Sequence, residues 1–388
     1  MFKKSLVAVA VLGAAAFSAQ AADVQLYGII DYGFQYSEVD TGVAGEKATH
    51  NFQMKDGMNS GSRFGLKGVE DLGNGLKVGF VLENGFHADD GALNDTNGRL
   101  FDREALVYVD GAWGQVGFGR VGALVSGNGT YGIFGGSVSP FSTGWGDVLG
   151  HKSVMAAGFD RMDNTIVYKS PKFAGVTVYT QYSMDKDSKA DLDKDEAGVQ
   201  HGREFSNSVD RQYALGATFN AGNLNLVGVV TRTDLRKWDH EGVAANAGKD
   251  DPTTVSLGGN YDFGVAKLFV ATQYFKDSDL GVKAFQEVQQ KGVYDGFGLQ
   301  VGANVPAFGG TAKVVVGYMD AEHQNKAGEL AYDMSRVNFA AGYEYPLSKR
   351  TYLYTAAGYA QDDYDRKAGK NDDSAHAWAV NAGLVHKF

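Results

Sequence analysis

From Gln212 to Asn220 apolar and polar side chains take turns. Tyr213, Leu215, Ala217 and Phe219 fall on one face, and Gln212, Ala214, Gly216, Thr218 and Asn220 on the other. The same period of two runs from Val255 to Asp262. It returns at Val293, where Phe297, Leu299 and Val301 alternate with Gly296, Gly298, Gln300 and Gly302. A repeat of two belongs to extended strands, whose successive side chains point to opposite faces. The second face is small and polar, rich in Gly, Asn and Gln, and lacks the Lys and Glu of a sandwich face turned to bulk water. An apolar exterior over a polar, narrow interior is the pattern of a transmembrane β-barrel.

Sixteen segments carry this signature. They are 23–38, 61–72, 75–86, 103–110, 114–120, 164–171, 175–184 and 211–220, then 223–232, 253–262, 265–275, 293–304, 311–319, 335–345, 350–360 and 375–388. An even count suits a closed bacterial barrel. Seven connections are short, such as Gly73-Asn74 and Ala221-Gly222. Eight are long: 39–60, 87–102, 121–163, 185–210, 233–252, 276–292, 320–334 and 361–374. Short and long alternate strictly, as periplasmic turns and extracellular loops do. The predicted fold is therefore all-β: an antiparallel transmembrane barrel of 16 strands. The prolines (140, 171, 252, 306, 346) stand at strand ends, turns or loops, where a missing N–H does no harm.

The N-terminus adds an address. Lys3 and Lys4 precede the apolar run Leu6–Phe17, and Ala19-Gln20-Ala21 is a small-x-small cleavage pattern. The run falls short of the roughly 20 residues of a spanning helix. Residues 1–21 are expected to be a signal peptide and 22–388 the barrel. Losing Lys3 and Lys4 would take the formal charge from −10 to −12. An acidic chain without a basic run does not suit nucleic acid. The absence of cysteine excludes disulfides, thiolate metal sites and a cysteine nucleophile. The 53 glycines are nearly double the usual share of about 7%, without collagen's period of three.

Several stretches then match a known family. They include Val24-Gln25-Leu26-Tyr27-Gly28 with Asp31, and the run from Ser62-Arg63-Phe64-Gly65-Leu66-Lys67 through Gly73-Asn74-Gly75 to Lys77. Further on come Gly117-Phe118-Gly119-Arg120, Asp163 to Tyr168 with Ser170-Pro171, Leu347 to Thr351, and the closing His386-Lys387-Phe388. In this order the chain resembles the general diffusion porins of Gram-negative outer membranes, in particular the sixteen-stranded trimeric type of betaproteobacteria and neisserial relatives. The resemblance implies a homotrimer with a water-filled pore in each subunit. It also implies a third loop that makes the constriction, and a terminal Phe388 strand read by the outer-membrane assembly machinery.

Loop 121–163 supports that expectation from its own residues. Between Val121 and Gly146 there is no charge, but there are Tyr131, Phe134, Phe141 and Trp145. A long apolar connection folds against something, and the lumen wall is the expected partner. Ion passage needs charge on that wall. Strand parity turns Arg63, Lys67, Lys77 and Glu83 inward, with Asp31 on the inner face of the first strand. Arg103 is set opposite Leu106 and Tyr108, and the resemblance puts it with Arg63 in a basic cluster. Arg120, where a strand enters the loop, is a further candidate, and Asp147 and Asp160 are candidate acids of the loop.

Other motifs carry less. Gly117-Phe118-Gly119-Arg120-Val121-Gly122 fits G-x-G-x-x-G without the helix that a dinucleotide site needs. Asp185, Asp187 and Glu196 copy three EF-hand positions, but Lys189 and Ala190 replace a ligand and the glycine. No cofactor is expected beyond weak divalent cation binding by acidic outer loops. The histidines never pair at metal-ligand spacing. No nucleophile or acid–base cluster argues for an enzyme. The expected function is passive diffusion of ions and small hydrophilic solutes across the outer membrane. Expected partners are a homotrimer, outer-membrane lipids and lipopolysaccharide, and the barrel assembly machinery. The alternatives are a solute-specific porin, or an interaction or adhesin barrel without an open pore. Net charge does not fix the sign of the ions passed, because nearby charges dominate within about 10 Å.

Overall fold

A computed structural model describes residues 24–42, 45–94, 98–146, 150–156, 158, 160–188, 204, 207–237, 250–280, 293–324, 330–366 and 373–388. The expected leader 1–21, Asp147 and Glu196 lie outside them. Among the described residues there are seventeen strands. The first nine are β1 (Gln25–Asp40), β2 (Thr49–Asp56), β3 (Arg63–Gly73), β4 (Leu76–Gly85), β5 (Glu104–Gly111), β6 (Gly114–Gly122), β7 (Arg161–Lys169), β8 (Val176–Ser183) and β9 (Arg211–Ala221). Then follow β10 (Leu224–Asp234), β11 (Thr253–Asp262), β12 (Lys267–Ser278), β13 (Val293–Ala307), β14 (Gly310–Gln324), β15 (Leu330–Pro346), β16 (Thr351–Arg366) and β17 (Asp373–Lys387).

All pairings are antiparallel, most of them between chain neighbours, and β1 closes the ring on β17, with Ile29 opposite Lys387 and Asp40 opposite His376. Strands β2 and β3 share one place in the wall. β2 pairs with the upper part of β1, Tyr32 opposite Asp56, and β3 with the lower part, Ile29 opposite Arg63. The wall is thus a closed sixteen-stranded barrel. Closure leaves no sheet edge in hydrocarbon, which is the condition for strands to span a bilayer.

The expected alternation governs the two faces. Leu215, Leu257, Val270, Phe297, Val301 and Val316 are exposed on the outside, while Gln212, Ser256, Gln273 and Gln300 are buried on the inside. The short turns carry exposed rings, among them Trp113, Phe173, Phe263 and Phe308, which suits an interfacial aromatic girdle. Phe388 completes the ladder: its N–H donates to the Gly28 carbonyl and its carbonyl accepts the Gly28 N–H, both at 3.1 Å. The exposed His386 ring has a partner, with Nδ1 2.9 Å from the Thr351 hydroxyl.

Two expectations need correction. Residues 49–56, expected as loop, form β2, in which Phe52 and Met54 alternate with Asn51, Gln53 and Lys55. The connections expected at 320–334 and 361–374 are much shorter, since β14 to β17 continue their ladders to Gln324, Leu330, Arg366 and Asp373. Paired backbone stays satisfied beyond the hydrocarbon, so the hairpins need not end at its edge. Gly117–Gly122 opens no helix, in keeping with the sequence reading, and lies within β6.

Candidate functional site

The long connection between β6 and β7 packs against the inner face of the barrel. Its apolar side chains are almost wholly covered: Leu124, Tyr131, Phe134, Val138, Phe141, Val154 and Met155 expose 0%. Two short turns order it, α1 (Gly135–Val138) and a 3-10 turn (His151–Val154). A buried irregular backbone must find hydrogen bonds, and inward side chains of the wall supply them. Gln181 accepts from the Leu124 N–H at 3.0 Å and Gln273 from the Ala156 N–H at 2.8 Å. Asn260 donates to the Ser137 carbonyl, Gln300 to Gly150 and Asn381 to Trp145. The Gln and Asn of the inner face are therefore anchors for the loop.

The inner glycines are its bed. A Cβ at Gly298 would lie 1.6 Å from the Val154 carbonyl oxygen, and one at Gly302 would meet the Pro140 ring at 2.7 Å. His151, fully buried, points Nδ1 at the Ser142 carbonyl at 2.7 Å and stands edge-on to Phe134. Burial, aided by the neighbouring Lys152 charge, pushes its pKa down to about 4, so the ring is neutral and Nδ1–H is the donor.

What the loop leaves open is a cavity of about 770 Å³. Arg63, Lys67, Arg103, Arg161, Lys152 and Lys313 line it, against Glu83, Glu104 and Glu344. The wall side is tightly wired. Glu83 accepts from Arg103 Nε at 2.7 Å and from the Tyr27 hydroxyl at 3.0 Å, with Arg63 Nε at 3.6 Å. Lys67 lies over the Tyr27 ring, 5.2 Å from its centre. Opposite, Lys313 bonds Glu344 at 3.2 Å and the Pro140 carbonyl at 3.1 Å, with its Nζ 5.5 Å from the Trp145 ring centre. Among the described residues, Arg161 Nε and Nη2 are buried without a hydrogen-bond partner.

Of the residues expected from sequence, Arg63, Lys67, Arg103 and Glu83 meet at this cavity. The parity of β5 is the reverse of that expected for Arg103, however. Leu106 is buried and Val107 exposed, so Glu104, Leu106 and Tyr108 take the inner face of β5. Arg103 reaches the lumen because it precedes the strand, its N–H donating to the Glu83 carbonyl at 3.2 Å.

Arg120 does not line the cavity. It stands opposite Ala105 on the face of Val107 and Phe118, beside the bulge at Gly119–Val121. Its guanidinium bonds Asp163 and the Asp102 carbonyl, both at 2.6 Å. Asp160 is exposed and also lies off the cavity; its carbonyl accepts the Ala123 N–H. Lys77 shares the face of Val81 and Glu83 but sits exposed at the turn end of β4. Asp31 points inward yet is fully covered, its carboxylate taken by Asn59, Ser60 and Tyr354.

Sequence reasoning missed Arg161, Lys152, Lys313, Glu104 and Glu344. Arg161 and Lys152 lie in or beside the long connection, where parity has no meaning. Glu104 was lost with the reversed parity of β5. Lys313 and Glu344 stand on the inner faces of β14 and β15, where parity would have found them.

Two outer clusters complete the inventory. Arg99 joins Asp163 at 2.6 Å and Asp187 at 2.5 Å, and these carboxylates hold its charge firmly, raising its pKa. The EF-hand-like Asp187 is thus committed to a salt bridge. Asp56, distant in sequence from the neighbouring His87 and Asp89, comes with them into a group whose ligand atoms lie within 4.8 Å of one another.

Comparisons with known proteins agree with this architecture. Residues 8–382 match the family model described as Gram-negative porin. The chain is 30% identical over 416 residues to an outer membrane porin protein of Bordetella pertussis, covering 100% of both. It is likewise 30% identical to outer membrane porin protein 32 of Delftia acidovorans, over 98% of this chain and 96% of that one. Among solved structures, the anion-selective porin from Comamonas acidovorans superposes with a TM-score of 0.63, at 24% identity, over 95% of this chain and 100% of that one. A closed barrel with a greased exterior and a charged lumen, matched along its length by porin sequences, belongs to the Gram-negative porin family: the chain is an outer-membrane porin.

Proposed function

We propose that this porin favours anions, and that it selects them at a constriction made jointly by the loop between β6 and β7, the β3–β7 wall and the inner faces of β14 and β15. The observation that carries this is the cavity's lining, six cationic side chains against three carboxylates among the described residues. Charges this close to the path outweigh a net negative chain, because salt screens the distant ones within about 10 Å. The porin from Comamonas acidovorans is described as anion-selective, which points the same way. Uncharged solutes that fit the opening pass as well. The working form is a homotrimer of processed chains, with residues 1–21 removed and the Phe388 strand serving as the assembly signal.

Reversal potentials across a potassium chloride gradient test the sign. Chloride permeability above that of potassium is expected from the purified protein in planar bilayers, with conductance rising in triplet steps. A potassium preference would overturn the reading.

A further inference from the structure

We infer that Asp31 is a positioning residue. It holds residues 57–62 as a second inward element of the constriction, which deepens the reading above and rests on it. Between the pairs Ile29–Arg63 and Tyr32–Asp56, β1 offers two residues, Ile30 and Asp31, where the facing chain has six, 57 to 62. The excess cannot stay in the ladder and must leave the wall. Gly57, at φ +64°, makes the departure, in the left-handed region that disfavours any residue with a side chain.

The segment turns inward, since Gly57, Asn59, Ser60 and Gly61 all line the cavity. Asp31 pins it from behind. One carboxylate oxygen accepts two successive backbone N–H groups, Asn59 and Ser60, each at 2.7 Å. The other accepts the Tyr354 hydroxyl at 2.7 Å. The backbone of Asp31 adds the Gly57 N–H at 3.0 Å and exchanges bonds with the Ser62 hydroxyl. Charge-assisted bonds to consecutive amides are strong and directional.

The pinned segment then sets its neighbours. The Gly61 carbonyl accepts from Arg63 at 3.1 Å, the Met58 carbonyl accepts the Gly146 N–H at 3.1 Å, and the Asn59 side chain joins Tyr352 to Glu344. Asp31 thus places the selecting charges while its own is spent on the backbone. Its role is geometric, and its carboxylate is not one of the charges that sort ions.

Two readouts separate these roles: the size cut-off for uncharged polyethylene glycols, which reads width, and the reversal potential, which reads charge. Asp31→Asn keeps an oxygen for both amides and turns its NH2 to the Tyr354 oxygen, so both readouts should stay near wild type. Asp31→Ala, and separately Ser60→Pro, which deletes one amide donor and leaves the carboxylate in place, should shift the cut-off and the single-channel conductance. Glu344→Gln serves as the comparator for loss of a cavity carboxylate. An anion-ward shift in Asp31→Asn as large as in Glu344→Gln, at unchanged cut-off, would overturn the inference. So would a wild-type cut-off in both Asp31→Ala and Ser60→Pro. A wild-type channel that fails to conduct, or prefers potassium, would instead defeat the reading on which it rests.

Discussion

Two stretches of the same wall handle arginine in opposite ways. From β13 to β17 the strands run 15 to 17 residues in long ladders. There the inward Arg336 is fully covered and forms a bidentate pair with Asp362, with Nη1 on the Ser153 carbonyl of the loop at 3.0 Å. From β3 to β7 the strands are 8 to 11 residues and broken by bulges. There Arg63 and Arg103 share Glu83, and with Arg161 and Glu104 they front the cavity. The long wall is a dock whose charge is cancelled on the spot. The short wall is a field, with more cations than its carboxylates offset. Residue type does not decide between these tasks; what covers the side chain does.

The largest effect should come from breaking the dock. Arg336→Ala leaves the Asp362 carboxylate buried without its counter-ion, and such half-pairs cost about 3–5 kcal/mol. A marked fall in thermal stability in detergent is expected, together with noisy or enlarged conductance as the Ser153 anchor is lost. The double change Arg336→Met with Asp362→Leu should recover most of the stability, because an apolar replacement of a whole buried pair is often neutral. If the single variant melts like wild type, the buried pair does not hold the dock.

That contrast also explains what could be read from the chain alone. Strand positions were legible because lipid outside and polar contents inside impose a period of two, as at Val293–Asn304. The inner Gly and Gln suggested a wet interior of limited width. They in fact make room for and bind the loop at Gly298, Gly302, Gln273 and Gln300. The Arg336–Asp362 pair was invisible, since its members are 26 residues apart and neither stands in a motif. On the short wall, Arg63 and Lys67 stand on the face that parity gave them, Arg103 does not follow the parity of β5, and Arg120 stands beside a bulge where parity carries no information. Phe52 and Met54 marked β2 plainly enough, but the Gly57 to Gly61 stretch after it has the composition of a loop.

A smaller effect should come from acid. His151 sits in the turn that Arg336 anchors, and its folded pKa of about 4 lies below the ordinary 6.5. The undocked loop, with its imidazole in water, therefore binds a proton between these values when the docked loop does not. Docking strength is complete above about pH 6.5 and falls as the pH drops toward 4, by at most about 3 kcal/mol. Channel closures or conductance noise should grow over that window and level off below it. His151→Phe should remove the dependence, and an unchanged acid response in that variant would place the sensor elsewhere.

The smallest effect belongs to the field, and it sharpens where the field begins. Arg161 fronts the cavity with two nitrogens that have no hydrogen-bond partner among the described residues, whereas Lys77 shares its wall but stands at the turn end of β4. Each carries one positive charge, so a selectivity set by total wall charge would change equally on neutralising either. Selectivity set at the narrow cavity would not, because a charge more than about 10 Å from the path is screened at 0.1 M salt. Arg161→Gln should move the reversal potential toward zero while Lys77→Gln leaves it nearly unmoved, and raising the salt tenfold should shrink the first shift. Equal shifts would mean that the whole length of the short wall selects, and that the boundary between dock and field lies lower in the barrel than the cavity.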